Sequence, residues 1–173
     1  MDINEKVKLA KKGDDNAFYE LINERKAMLY KTAFLYVKNK EDAMDIVSDT
    51  VFKAYISIKK LKQPEFFNTW LTRILINNSL DFIKKNKKVV SLEENKSFHE
   101  NDNLNTHENK EDVLDLHKAV DKLDDKYKTI VILKYFQDMT LNEIAEVLKC
   151  PLGTVKTYLN KALKELRIEL IEE

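Results

Sequence analysis

The sequence predicts an all-α protein: two small helical domains joined by a flexible acidic linker, the second containing a helix-turn-helix. Three observations lead there. Only two glycines and two prolines occur in 173 residues, which leaves almost no turn chemistry for β-hairpins. Hydrophobic residues make up 43% of the chain and charged residues 35%, a balance that suits amphipathic helices around a core. The third is an interruption. Residues 91–112, SLEENKSFHENDNLNTHENKED, hold 2 bases and 7 acids and little apolar surface, too little to offset the entropy of ordering them. They separate a domain over 1–90 from one over 113–173.

In the first domain the apolar spacing predicts helices over 4–12, 14–38, 41–59 and 66–87. Asp14 and Asp15 suit a helix start, as do Glu41 and Asp42. Pro64, in KKLKQPEFFN, marks the break before the last of these helices. In the second domain helices are expected over 112–122, 124–136, 140–148 and 152–170. The stretch TIVILKYF is rich in β-branched residues and reads as a strand in isolation. Without partner strands or hairpin signals, helix is the better reading.

Composition narrows the function classes. No apolar run approaches the ~18 residues a membrane span needs, and the N-terminal segment MDINEKVKLAKKGDD lacks the core of a signal peptide. A single cysteine, Cys150, excludes an intramolecular disulfide and points to the cytoplasm. The three histidines, His99, His107 and His117, stand in no nucleophile or metal spacing, and no glycine loop cradles phosphate. Neither catalysis, a cofactor, a small-molecule substrate nor membrane insertion is expected. His99 and His107, among carboxylates, are at most weak metal candidates.

Net charge is zero, yet it is the sum of unlike parts. Residues 1–90 carry +6, residues 91–112 carry −5 and residues 113–173 carry −1. Within the last block, residues 151–168 are locally +3. On a helical wheel of roughly 100° per residue, Val155, Leu159, Ala162, Leu163 and Leu166 share one side of that helix. Lys156, Thr157, Asn160, Lys161 and Lys164 share the other. The preceding helix has its own stripe of Leu141, Ile144, Ala145 and Leu148, and Cys150, Pro151 and Gly153 permit a tight turn. Two short helices so joined make a helix-turn-helix, whose lysines suit phosphates and whose Thr and Asn suit base edges. A merely solvated polar face is the bland alternative.

The first domain offers two further surfaces. In NTWLTRILINNSLDFIKKNKK, Arg73, Asn77, Lys84, Lys85, Lys87 and Lys88 make a basic, hydrogen-bonding side, with Phe66, Phe67 and Trp70 beside it. Aromatic platforms next to cations hold unstacked single-stranded bases; a core helix with a solvated lysine tail has the same pattern. In DAMDIVSDTVFKAYISI, Ile46, Val47, Val51, Ala54 and Ile58 form a core stripe. The opposite side collects Asp45, Asp49, Phe52 and Ile56. An apolar pair flanked by carboxylates fits a protein-binding patch, or a helix buried on both sides.

Taken in order, DAMDIVSDTVFKAY, NTWLTRILINNSLDFIKKNKK and LNEIAEVLKCPLGTVKTYLNKALKEL resemble bacterial RNA polymerase sigma factors of the extracytoplasmic-function group. The resemblance implies a sigma-two domain that binds core RNA polymerase and opens the minus-ten promoter element, and a sigma-four domain that reads the minus-thirty-five element. It aligns Asp45, Ser48, Asp49, Phe52 and Ile56 with the polymerase-binding helix, where relatives usually carry Gln-Glu in place of Ser48-Asp49. It aligns Asn77 with a position that touches non-template bases, and the loop from Lys62 to Phe67, with Phe66 and Trp70, with one that captures a flipped base. Lys156, Thr157, Tyr158, Asn160 and Lys161 would face the minus-thirty-five element. Relatives often have Arg at 156, 158 and 161, and Lys lacks its planar bidentate contact. The resemblance further implies promoter DNA as a partner, an anti-sigma factor (often membrane-anchored in relatives), and an acidic linker threading toward the RNA exit path. A stand-alone helix-turn-helix regulator and a protein-binding module that never touches DNA remain the alternative readings from the residues.

Overall fold

A computed structural model describes residues 1–90 and 110–172. The chain divides into two compact units, Met1–Glu100 and Asn101–Glu173, and every described residue with regular structure is helical. The expected linker lies mostly outside the described residues; its last three residues, Lys110 to Asp112, already belong to a helix.

The first unit runs α1 (Ile3–Lys11), α2 (Asp15–Asn23), α3 (Lys26–Val37), α4 (Lys40–Ser57), two 3-10 turns (Ile58–Lys60 and Pro64–Phe66) and α5 (Phe67–Val90). Capping sets the starts. Asp14 accepts the Ala17 backbone N–H at 3.0 Å and Asn39 accepts that of Asp42 at 2.9 Å, each satisfying a donor that the helix leaves orphaned. The helix expected over 14–38 is two helices. It breaks at Glu24 and Arg25, where Arg25 Nε reaches Asn68 Oδ1 at 2.8 Å and Lys6 ties Glu24 and Glu20 back to α1. The break lets α2 pack on α1 while α3 packs on α4 and α5. No Gly or Pro announces it, because the turn is held by tertiary bonds. Val7, Phe18, Leu21, Leu29, Ile46, Phe67, Leu71 and Leu75 form the core between these helices.

Between α4 and α5 the core contains a polar chain. Buried Asn78 donates from Nδ2 to Thr50 Oγ1 at 3.0 Å, Thr50 donates to the Ile46 carbonyl at 2.7 Å, and Lys53 Nζ donates to Asn78 Oδ1. Buried polar groups are tolerated only when bonded, so this chain permits one rotation of α5 on α4.

The second unit runs α6 (Lys110–Lys122), α7 (Asp125–Val131), a π-helical turn (Ile132–Phe136), α8 (Leu141–Leu148) and α9 (Leu152–Glu172). TIVILKYF is helical, but widened in its second half: Gln137 N–H bonds the Ile132 carbonyl at 3.1 Å and Met139 N–H bonds that of Leu133 at 3.1 Å. A single helix to 136 was expected; the wider turn instead leaves Tyr135 and Phe136 exposed while Ile132 and Leu133 stay buried. Buried Lys128 pairs with Asp121 at 2.8 Å, fastening α7 to α6.

The helix-turn-helix is α8 and α9. Thr140 and Glu143 form a capping box, with the Thr140 N–H on Glu143 Oε2 at 2.8 Å and the Glu143 N–H on Thr140 Oγ1 at 3.3 Å. The turn takes its left-handed residue at Lys149 (φ 52), not at a glycine. Gly153 sits inside α9, where an added Cβ would meet nothing within 4 Å, so the tight turn does not require it. Ile144, Val147, Val155, Leu159, Ala162 and Leu166 are buried; Leu163, expected among them, is 39% exposed.

The capping box gives the first prediction. The Thr140 backbone N–H, and then its hydroxyl, hold the Glu143 carboxyl below the usual carboxylate range. A lowered folded value stabilises fully above the unfolded Glu pKa of ~4.3, and this is lost as pH falls through the folded value. Thr140→Ala is expected to cost about 1 kcal/mol at pH 7, lowering the melting midpoint of the second unit by about 4–8 °C. Calorimetry at pH 7 and pH 3 checks this: the gap narrows in acid, and an equal gap at both would contradict it.

Candidate polymerase and nucleic-acid interfaces

On α4, Ala43, Ile46, Thr50 and Ala54 turn inward, which leaves the opposite side to solvent. Asp45, Ser48, Asp49, Phe52 and Ile56 are all exposed, Phe52 at 64% and Ile56 at 60%. Isolated exposed apolar residues are ordinary, but these are not isolated. Met44 and Tyr55 are also exposed, and a shallow groove lined by Phe18, Val47, Ser48, Val51, Phe52 and Tyr55 runs beside them. Its wall is fixed: Tyr55 Oη donates to Asp15 Oδ1 at 2.8 Å, and its ring meets Phe18 edge-on at 5.2 Å. The Asp15 carboxylate raises the Tyr55 phenol above its ordinary pKa. The Ser48 hydroxyl donates to the Met44 carbonyl at 2.9 Å, so it offers a partner only its lone pairs.

Phe18, Met44 and Tyr55 were missed in the sequence, and Val47 and Val51 were assigned wholly to the core. The two valines are half-buried and line the groove. The available signal was that α4 carries apolar residues on more of its circumference than one core stripe needs.

On α5, Asn77, Lys84 and Lys85 are exposed and Arg73 is half-buried. Asn77 owes its outward direction to Asn78, its neighbour, which is locked inward. The loop before α5 separates its aromatic residues. Phe66 is 42% exposed and Lys62 is exposed, whereas Phe67 is fully buried and Trp70 is half-buried against the core, with its ring 5.9 Å from that of Phe67. Phe67 is therefore a core residue, contrary to its expected place on a base-holding surface. Consecutive residues entering a helix point about 100° apart, so Phe66 and Phe67 cannot share a face.

On α9, Lys156, Thr157, Asn160, Lys161 and Lys164 are exposed together on the side away from the buried stripe. Thr157 donates its hydroxyl proton to the Gly153 carbonyl at 2.9 Å, leaving an acceptor and a methyl group outward. Tyr158 stands apart from them. It is half-buried, packs on the core and meets Tyr127 edge-on at 5.6 Å. Lys126 Nζ lies 4.8 Å from the Tyr127 ring centroid and 5.9 Å from that of Tyr158, and Asp124 at 3.1 Å raises the lysine above its usual pKa.

His117 lies in α6 with its ring 5.8 Å from that of Phe136, and His99 and His107 fall outside the described residues. Among the described residues, no group of three His, Cys, Asp or Glu side chains is arranged to hold a metal. No described helix is long and apolar enough to cross a membrane.

Both units match known family models. The family model "Sigma-70 region 2" matches residues 21–89, which include the exposed faces of α4 and α5. "Sigma-70, region 4" matches residues 114–166, which include the helix-turn-helix. The chain is 41% identical over 156 residues to RNA polymerase sigma factor SigV of Bacillus subtilis (strain 168), covering 88% of this chain and 90% of that protein. It is 31% identical over 182 aligned positions to the ECF RNA polymerase sigma factor SigW of the same organism, covering 98% and 97%. The fold is similar to that of CnrH in its complex with the cytosolic domain of CnrY (TM-score 0.74, 19% identity, 99% of this chain and 98% of that one). It is also similar to that of the sigma factor RpoE bound to the anti-sigma factor NepR from Bartonella quintana (TM-score 0.76, 21% identity, 88% and 96%). Both family models and both relatives lead to one conclusion: the chain belongs to the sigma-70 family, as an extracytoplasmic-function RNA polymerase sigma factor that directs promoter-specific transcription initiation.

Proposed function

We propose that the three exposed faces divide the work of initiation. The observation that carries this is the outward side of α4, where Phe52 and Ile56 stand exposed on the same side as Asp45 and Asp49, one and two turns further along the helix. Exposed apolar side chains bordered by charge are what a protein-binding surface presents, and the partner here is core polymerase. Asp45, Ser48, Asp49, Phe52 and Ile56 bind it, the carboxylates selecting a basic partner surface.

The face of α5 and the preceding loop act on the minus-ten element. Arg73, Asn77, Lys84 and Lys85 hold the strand, Phe66 with Lys62 captures an unpaired base, and Trp70 supports the loop from the core side. Flipping a base costs a few kcal/mol, which stacking on an exposed ring at ~1–3 kcal/mol per base offsets in part. Lys156, Thr157, Asn160, Lys161 and Lys164 enter the major groove at the minus-thirty-five element, with Tyr158 bracing the helix through Tyr127. The protein performs no catalysis of its own and works in the cytoplasm. An anti-sigma factor fits as a regulator, because a segment laid in the groove beside Phe52 and Tyr55 would exclude polymerase.

Two measurements test this division. Asp49→Lys is expected to reduce association with core polymerase at least tenfold, about 1.4 kcal/mol, with helix content by circular dichroism unchanged. Undiminished co-purification with core would refute the assignment of α4. Lys161→Glu is expected to weaken holoenzyme binding to promoter DNA and lower the slope of log affinity against log salt by about 1. A slope equal to that of the unaltered holoenzyme would place Lys161 away from phosphate.

A further inference from the structure

Helix α1 lies ahead of the region matched to sigma-70 region 2, yet it packs against both 3-10 turns that carry the loop before α5. The link is specific. Lys11, half-buried in the last turn of α1, donates from Nζ to the carbonyl of Leu61, fifty residues away. Lys8, one turn earlier on the same side of the helix, and Lys12, the next residue, are exposed. Leu61 is flanked by exposed Lys59, Lys60 and Lys62. None of these five ammonium groups has an ion-pair or hydrogen-bond partner among the described residues. Glu65 is the exposed carboxylate of the same loop.

A lysine near a helix C-terminus is favourable by itself, which accounts for Lys8 and Lys12 separately. It does not account for the tether that brings them to three further lysines. Gathering uncompensated like charges costs stability through self-repulsion, and the cost is removed when an anion binds. The exposed Phe66 ring belongs to the same loop as Lys62, and cations together with an aromatic platform are the elements that hold single-stranded nucleic acid.

We infer that the C-terminal half of α1 and the turn over 58–62 form one phosphate-binding surface for the unpaired promoter strand, with Lys11 as the residue that positions the two halves. This rests on the reading that the loop engages an unpaired base.

The test uses reconstituted holoenzyme and two probes from a promoter it recognises: a fork with an unpaired non-template strand across the minus-ten element, and a duplex ending upstream of it. Affinity is measured against salt. Lys8→Gln with Lys12→Gln is expected to lower the salt slope on the fork by about 1.4, at ~0.7 per lysine on a single strand, and to leave the duplex unchanged. Lys11→Met is expected to weaken fork binding several-fold with an unaltered salt slope, because Lys11 touches protein and not phosphate. An unchanged fork slope in the double variant overturns the inference, as does an equal fall on both probes, which marks general duplex attraction. Unaltered holoenzyme that binds the duplex but gains nothing from the fork overturns the reading of the loop, and this inference with it.

Discussion

The bond between Asn78 and Thr50 fixes what the N-terminal unit can present. Both groups are buried where α4 meets α5, and rotating either helix would strand a polar group in an apolar core. With that rotation set, Phe52, Ile56 and the carboxylates of α4 have one direction available, and Asn77 with Lys84 and Lys85 has another. Lys53 extends the chain of bonds from Asn78 toward the surface, next in sequence to Phe52. The surface proposed for polymerase and the surface proposed for melted DNA are thus two sides of one helix pair, and neither can turn without the other.

The distribution of charge follows from the same division. A net charge of zero is a poor endowment for a protein that must hold duplex DNA unaided, since phosphate contacts by Lys and Arg supply most non-specific affinity. It suits a subunit that docks on a larger machine and contributes local readout. The exposed side of α9 is basic on a unit that is slightly acidic overall, so its lysines act at short range, within a Debye length of ~8 Å at physiological salt. In the first unit the surplus of bases gathers on α5 and around the loop, leaving α4 with its carboxylates outward.

Much of this was legible in the residues. Helix class followed from the scarcity of Gly and Pro, and the α8–α9 pair from two amphipathic stripes on either side of a turn at Cys150 and Pro151. Local signals failed where tertiary bonds decide. The break at Arg25 depends on Asn68, forty-three residues on, and the π-helical turn depends on how Leu133 and Met139 close around it. A wheel counts Val47, Val51 and Leu163 as core by type, although α4 has too few neighbours to cover the valines and α9 leaves Leu163 partly open. Phe66 and Phe67 read as a pair because they adjoin in sequence; only the packing of α5 shows that one fills the core and the other faces water. The lysines of α1 carried no signal, since their relation to the loop exists only through the fold.

The account is tested most directly by run-off transcription with purified core polymerase on a library of promoters. It predicts discrete transcripts that require the chain, from templates that the chain alone does not retain at physiological salt. Tight, sequence-selective binding of promoter duplex by the isolated chain, with transcripts that are the same whether or not it is added, would contradict it.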